Sequence, residues 1–233
     1  MSAPGAASPP AGFWPRYAAW SLDAAIVAAL ITALGIGVWR ERLAALDQAY
    51  AGFNARMAEA MSAAALDDLD FGSLAGRFGA DPQTHAAAVA LSSALTALIL
   101  GWLLAYAAFG LVYETVFVAF TPWRATPGKR ALGLYVVARD GGALGSARTV
   151  LRYLAGTLSW LTLNIGHLLA AARPEHQALH DRVAGASVRG PARMPLWAWA
   201  WLVLQMAAAL AACVWLMWTL QAGLENALYG GAL

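Results

Sequence analysis

Two carboxylates stand inside apolar runs of this sequence, Asp23 and Glu114. Asp23 lies in RYAAWSLDAAIVAALITALGIGV, a run from Arg16 to about Val38 that is long enough to cross a bilayer. A charge in the middle of such a helix is costly, so it marks a functional site or needs a partner. Two neighbouring carboxylates can bind a hard cation through oxygen. They can also share a proton, because each raises the other's pKa. The opposing reading is structural: Asp23 pairs with Arg16, seven residues earlier on the same helical face, or with Arg152, and fixes helix packing. Arg16 itself either pairs or snorkels to headgroups, and Arg152 has the same two options.

Depth brings the two acids together. If Pro122 marks the cytoplasmic end of the second apolar run, Glu114 lies about 9 Å inside that end at ~1.5 Å per residue. The same rise places Asp23 about 10 Å beyond Arg16. Both carboxylates then sit at one level on the cytoplasmic side of the core.

The remaining chemistry is thinner. TPGKR contains Lys129, the only lysine, but lacks the spacing of a phosphate-binding P-loop. It reads as a turn into a strand, with Lys129 and Arg130 as contacts for anionic headgroups or for a soluble anion. His176 and His180 have helical metal-ligand spacing, yet no third ligand is apparent, so no metal site is assigned. Asp181 reads as a cap or a partner of an arginine. His167 is expected to be an interior histidine, with proton relay as the alternative. Nothing has the pattern of a nucleophile with its base, so neither enzymatic activity nor a cofactor is expected.

The elements that hold these residues follow from composition. The chain has 233 residues, 61% hydrophobic and 12% charged. Its mean hydropathy is +0.57. Soluble domains are about half apolar and about a quarter charged, so this is an integral membrane protein. A net charge of +2 suggests no nucleic-acid partner. The lone Cys213 excludes an internal disulfide and reads as a small packing residue.

The first 14 residues, rich in Pro, Gly and Ala, lack a basic n-region. They read as a disordered tail and not a cleavable signal, so the first helix is expected to remain as an anchor. That helix should begin at Pro15, with Trp14, Tyr17 and Trp20 at the interface. Residues 40–85 form a long loop with helical pieces and a turn region around Asp67, Asp68 and Asp70. An excess of acids places this loop on the periplasmic side. The second apolar stretch reaches Phe120, with its span at about Leu98–Phe120.

Residues 121–152 carry six basic residues against one Asp, the strongest cytoplasmic mark in the chain. Within them LGLYVVA reads as a strand, and GASV, after Asp181, as its partner. The apolar stretch 153–172 has basic segments on both flanks. It is either re-entrant, bent at Asn164–Gly166, or a full span. Residues 194–224 form a last uncharged helix with Trp197, Trp199 and Trp201 at one end and Trp215 and Trp218 at the other. No internal repeat of the transporter kind is visible.

Three separated pieces resemble one family: Arg16 with Asp23, TPGKRALGLYVV (126–137), and RYLAGTLSW…LHDRVAGASV (152–188). Together they are similar to the RDD family of bacterial membrane proteins, named for one Arg and two Asp. Arg16, Asp23 and Asp181 match those positions. The long first loop and the terminal helix depart from the family's compact form. The resemblance implies an inner-membrane location, and a transport role, including sodium/proton exchange, has been proposed for some members.

The expected fold is therefore all-α: a small transmembrane helical bundle with three to four spans, a re-entrant third segment as one option, and a small cytoplasmic strand element. Residues 15–189 form the RDD-like domain, with 40–85 as its insertion and 190–233 as an added helix and tail. The N-terminus is expected in the cytoplasm. Three spans put the C-terminus in the periplasm, four return it to the cytoplasm. Expected partners are the bilayer, a cation or small solute, and a second copy or another membrane protein. The functional expectation is a small-solute or cation transporter, with proton coupling as an option, that uses the intramembrane carboxylates; the alternative is a non-transporting membrane scaffold or assembly factor with Asp23 and Arg16 as a structural ion pair.

Overall fold

The computed structural model describes residues 8–66, 71–161, 165–172 and 174–229. The protein is an all-α membrane protein with a small two-stranded sheet. Among the described residues three helices are long and apolar enough to cross a membrane: Phe13–Leu34, Pro82–Ala119 and Leu196–Thr219. The first is α1, the second is α4, and the third belongs to α9, which continues to Tyr229.

The chain divides into two compact units, residues 25–112 and the remainder. In the former, α2 (Ile36–Leu66) and α3 (Phe71–Ala80) occupy the region expected as a loop. The reason is composition: Ile36–Leu66 holds no proline and is rich in Ala, Leu, Arg, Glu and Met, all strong helix formers. Asp67, Asp68 and Asp70 lie outside the described residues. Asp81 caps α4, accepting from the Thr84 backbone N–H at 2.8 Å, with Pro82 in the first turn where a missing N–H costs nothing. Arg42 of α2 donates to the Ala97 carbonyl of α4. Gly101 leaves room for it, since a Cβ there would sit 2.9 Å from the guanidinium.

The other unit carries the sheet. After α4, α5 (Pro127–Ala131) leads into β1 (Tyr135–Ala138). Strand β2 (Ala186–Arg189) pairs antiparallel with β1, Tyr135 opposite Arg189 and Ala138 opposite Ala186. The expected pairing of LGLYVV with GASV is thus present. Leu134, Val136, Leu144 and Val188 are buried around it, together with Ala11, Ala18 and Ala19.

Residues 8–12 are not a free tail. Pro10 bridges Arg189, and the Ala11 N–H donates to the Val188 carbonyl at 2.9 Å. The backbone gains ladder partners along the β2 edge that would otherwise stay open. Residues 1–7 lie outside the described residues.

Helix α6 (Ser146–Leu161) has its polar stripe buried: Thr149, Arg152 and Ser159 face inward, while Leu151, Leu154 and Leu158 are exposed. That is the reverse of a water-soluble amphipathic helix and suits a lipid-facing one. Its 16 residues span about 24 Å, short of the ~30 Å hydrocarbon core. Among the described residues it is not one of the helices long and apolar enough to cross a membrane. The four-residue α7 (Ile165–Leu168) and a 3₁₀ turn, Leu169–Ala171, come after it. Asn164, the expected bend, lies outside the described residues.

Helix α8 (Leu179–Ala184) packs on α6 and ends at Gly185, whose φ of 59° is the left-handed conformation glycine adopts freely. Arg148 of α6 donates to the terminal carbonyls of Ala184 and Gly185 at 2.8 and 2.7 Å. Helix α9 starts beside α1: Trp201 Nε1 and Gln205 Nε2 both donate to Ser21 Oγ. Its Cys213 is exposed on the helix surface and not packed inside.

Candidate functional site

The six charged residues that matter come from five elements. Asp23 is on α1 and accepts three hydrogen bonds. Tyr113 Oη donates to Oδ1 at 2.8 Å, the Gly128 N–H to Oδ1 at 2.7 Å, and Thr126 Oγ1 to Oδ2 at 2.5 Å. Thr126 is the N-cap of α5, so its hydroxyl also accepts from the Lys129 N–H. Gly128 is required by contact, because a Cβ would meet the Ala19 carbonyl and the Asp23 carboxylate.

Lys129 follows on the same turn. Its ammonium donates to Glu114 Oε2 at 2.8 Å and to Thr126 Oγ1 at 3.3 Å. Glu114 Oε1 accepts from Arg152 Nη1 at 2.5 Å. Arg152 Nε donates to Asp181 Oδ1 at 2.8 Å, and Asp181 Oδ2 accepts from Arg16. Arg16 completes its fork on two carbonyls, Ala11 at 2.9 Å and His176 at 2.6 Å. The result is an alternating chain, Lys129–Glu114–Arg152–Asp181–Arg16, with Asp23 attached through Thr126. Three cations balance three anions.

This geometry corrects three expectations. Arg16 does not pair with Asp23; seven residues of helix separate them by about 10 Å, beyond side-chain contact of the two heads. Arg16 pairs instead with Asp181. Asp23 and Glu114 do converge on one turn, Thr126–Lys129, but each carboxylate is held by its own donors. Lys129 is committed to Glu114 and is only 14% exposed, so it is not a free headgroup contact. Arg130 is exposed, its guanidinium 4.5 Å from the centre of the Trp123 ring. Arg152 and Asp181 pair as arginine and acid, and Asp181 also reaches back to the Ala178 N–H at 3.2 Å at the start of α8.

Burial sharpens these charges. Asp181 has no exposed side-chain surface. Burial alone would raise its pKa, yet Arg152 and Arg16 hold it well below the usual carboxylate range. Burial would lower the pKa of Arg152, but Asp181 and Glu114 outweigh that and raise it. His180 has only partial compensation from Asp181, and burial pushes it down to about 3. It is therefore neutral at pH 7. Burial lowers the pKa of His167 as well.

A cavity of about 360 Å³ opens against this chain of charges. Arg16, Lys129, Arg152, Glu114, His167 and His180 contribute its polar wall, and Phe13, Tyr17, Trp20 and Leu134 are among its apolar lining. Asp23 and Asp181 do not line it. The two imidazoles lie with ring centres 5.0 Å apart. Among the described residues no cluster of His, Cys, Asp or Glu could hold a metal.

Three contributors were not singled out from sequence: Thr126, Tyr113 and Gly128. The Thr-Pro-Gly run carried the signal for the first and last, since Thr followed by Pro is a helix start with the cap and first turn in place. Tyr113 carried none.

Three apolar spans, a strand pair and a buried ion-pair chain define a multi-pass membrane protein whose charged signature residues meet in one place. The RDD family profile matches residues 10–185, and the chain belongs to the RDD family. No curated protein and no solved structure matches it.

Proposed function

We propose that this RDD-family protein moves a small solute across a bacterial cytoplasmic membrane, with the cavity as the solute site. The observation that carries this reading is the cavity wall itself: Arg152, Lys129 and Glu114 reach the cavity while most of its lining is apolar or aromatic. Concave, mostly apolar spaces with a few placed polar groups are the usual form of small-molecule sites. The basic segment 121–152 supports a cytoplasmic position for this end of the protein and for the N-terminus.

A bare cation fits this wall less well than a larger solute. Both oxygens of Glu114 are already taken by cations, and Asp23 is enclosed by donors. The test is flux in proteoliposomes. Glu114→Gln should slow solute entry without abolishing assembly, and equal flux in wild type and Glu114→Gln would count against transport through this site.

A second reading, a membrane scaffold or assembly factor, is favoured by the saturation of the charges. Every carboxylate in the chain of ion pairs has at least two donors. Under that reading a charge-conserving exchange, Arg152→Lys, changes stability and partner binding but no flux.

A further inference from the structure

We propose that the cavity binds a small amphipathic anion, a carboxylate or phosphate group carried on an apolar body, and that the His180 Nδ1–H is one of its donors. This names the solute class of the site assigned above and rests on that assignment.

Three observations lead there. The first is charge. The ion-pair chain is neutral as a whole, but its members are not equally placed. All three cations line the cavity, whereas two of the three carboxylates, Asp23 and Asp181, do not. The one acid at the wall, Glu114, has an oxygen bonded to Arg152 and the other to Lys129. The wall thus presents an excess of positive charge, and Arg16 and Arg152 each retain N–H groups beyond the bonds they make, since a guanidinium carries five.

The second is an orphan donor. Arg152 Nη2 lies 3.2 Å from His180 Nε2. A guanidinium can only donate, so Nε2 accepts, and the hydrogen-bond network assigns the proton of the neutral ring to Nδ1. Asp181 Oδ1 is farther from Nε2, at 3.4 Å, and already accepts from Arg152 Nε. His180 Nδ1 is buried and has no hydrogen-bond partner among the described residues. A buried donor left unpaired is costly, and an acceptor entering the cavity removes that cost.

The third is shape. Gly156 of α6 lines the cavity, and a Cβ there would lie 3.8 Å from His180 and 4.0 Å from His167. The two imidazoles thus border the space beside Gly156, which a methyl would leave open and a larger side chain would occupy. Phe13, Tyr17 and Trp20 then supply the apolar surface, with Tyr17 and Trp20 themselves partly exposed, 37% and 44%. An anionic head beside the arginines with a hydrocarbon or aromatic body along α1 matches this division. A lipid headgroup and a free amphipathic acid share that chemistry.

The experiment uses the full chain in phosphatidylcholine nanodiscs and reads tryptophan fluorescence and thermal midpoint against added probe. Phenyl phosphate and benzoate are the anions, benzyl alcohol the neutral isostere and benzylammonium the cation. The expected result is binding of an anion about tenfold or more tighter than benzyl alcohol, a factor equal to about 1.4 kcal/mol. That binding should fall at least about tenfold in Gly156→Leu, which intrudes on the cavity beside the imidazoles, and in His180→Phe, which keeps an aromatic ring and removes the donor. Gly156→Ala places its Cβ at ordinary contact distance and controls for folding; His180→Phe carries the test if Gly156→Leu does not assemble. Competition by phosphatidic acid in the nanodisc supports a headgroup as the natural ligand, and its absence supports a free acid. Equal binding of benzyl alcohol or benzylammonium, or unchanged binding in both cavity variants, overturns the inference. Anion binding without flux overturns the transport reading alone, and cation flux without anion binding overturns this inference alone.

Discussion

Arg16 and Asp181, 165 residues apart in the chain, form an ion pair whose carboxylate has no solvent-exposed side-chain surface. The same carboxylate takes Arg152 Nε on its other oxygen. Asp181 is thus the joint between α1, α6 and α8. Two guanidiniums depend on it, so it is the most sensitive point in the ion-pair chain.

Asp181→Asn removes the charge that both arginines need. Removing one partner of a buried pair costs about 3–5 kcal/mol, because the remaining charge is left uncompensated. The expected outcome is the largest fall in thermal midpoint of any single substitution in the network, measured on purified protein in detergent. Arg16→Lys keeps the charge but loses the fork to Ala11 and His176, and should cost less.

Gly128→Ala should destabilise by several times the usual effect of adding a methyl. The new Cβ meets the Ala19 carbonyl and the Asp23 carboxylate, so α5 must move away from α1. That motion stretches the 2.7 Å bond from the Gly128 N–H to Asp23. A midpoint equal to wild type would show that the two segments are not in contact.

Lys129 and Glu114 should couple. A double-mutant cycle of Lys129→Ala and Glu114→Gln is expected to give an interaction energy of about 0.5–3 kcal/mol, the range for residues in one salt-bridge network. Additivity within error would place the ammonium elsewhere, for example on a headgroup.

Stability should fall on acidification below about pH 6.5. His180 has a folded pKa of about 3, below its ordinary 6.5. Between those values the unfolded chain binds the extra proton, so stability rises with pH across that window and is fully present above 6.5. His167 is shifted in the same direction by burial. The depressed pKa of Asp181 acts lower down: its contribution is present above 3.8 and is lost as pH falls through its folded value. Thermal midpoints from pH 7 to 4.5 should therefore drop in wild type and drop less in His180→Gln. The groups around His180 that set this are Arg152, Asp181, His167 and Arg16.

Part of this architecture could be read from residue types. Apolar runs marked the three spans, and LGLYVV with GASV marked the strand pair. Arg16, Asp23 and Asp181 stood out as charges in unusual places. Their pairing could not be read, because helical spacing says which residues share a face and not which tertiary neighbour reaches it first. Lys129 looked like a surface lysine on a turn; the Thr126 cap starts a helical turn there and brings its ammonium to Glu114. Hydropathy began the third apolar segment at Tyr153, whereas α6 begins at Ser146. An inward polar stripe flanked by outward leucines has no simple hydropathy mark, since averaging along the chain cancels the two faces.

The clamp on residues 8–16 also sets an order of events during synthesis. Pro10 finds its bridge partner at Arg189, and Arg16 its carboxylate at Asp181. At about 5–20 residues per second, the ribosome needs roughly ten to thirty seconds to deliver them after Arg16 emerges. Through that interval α1 must wait with its guanidinium solvated at the interface. The first helix to be made is among the last to be locked, and the protein's N-terminal end is finished by a segment near its C-terminal end.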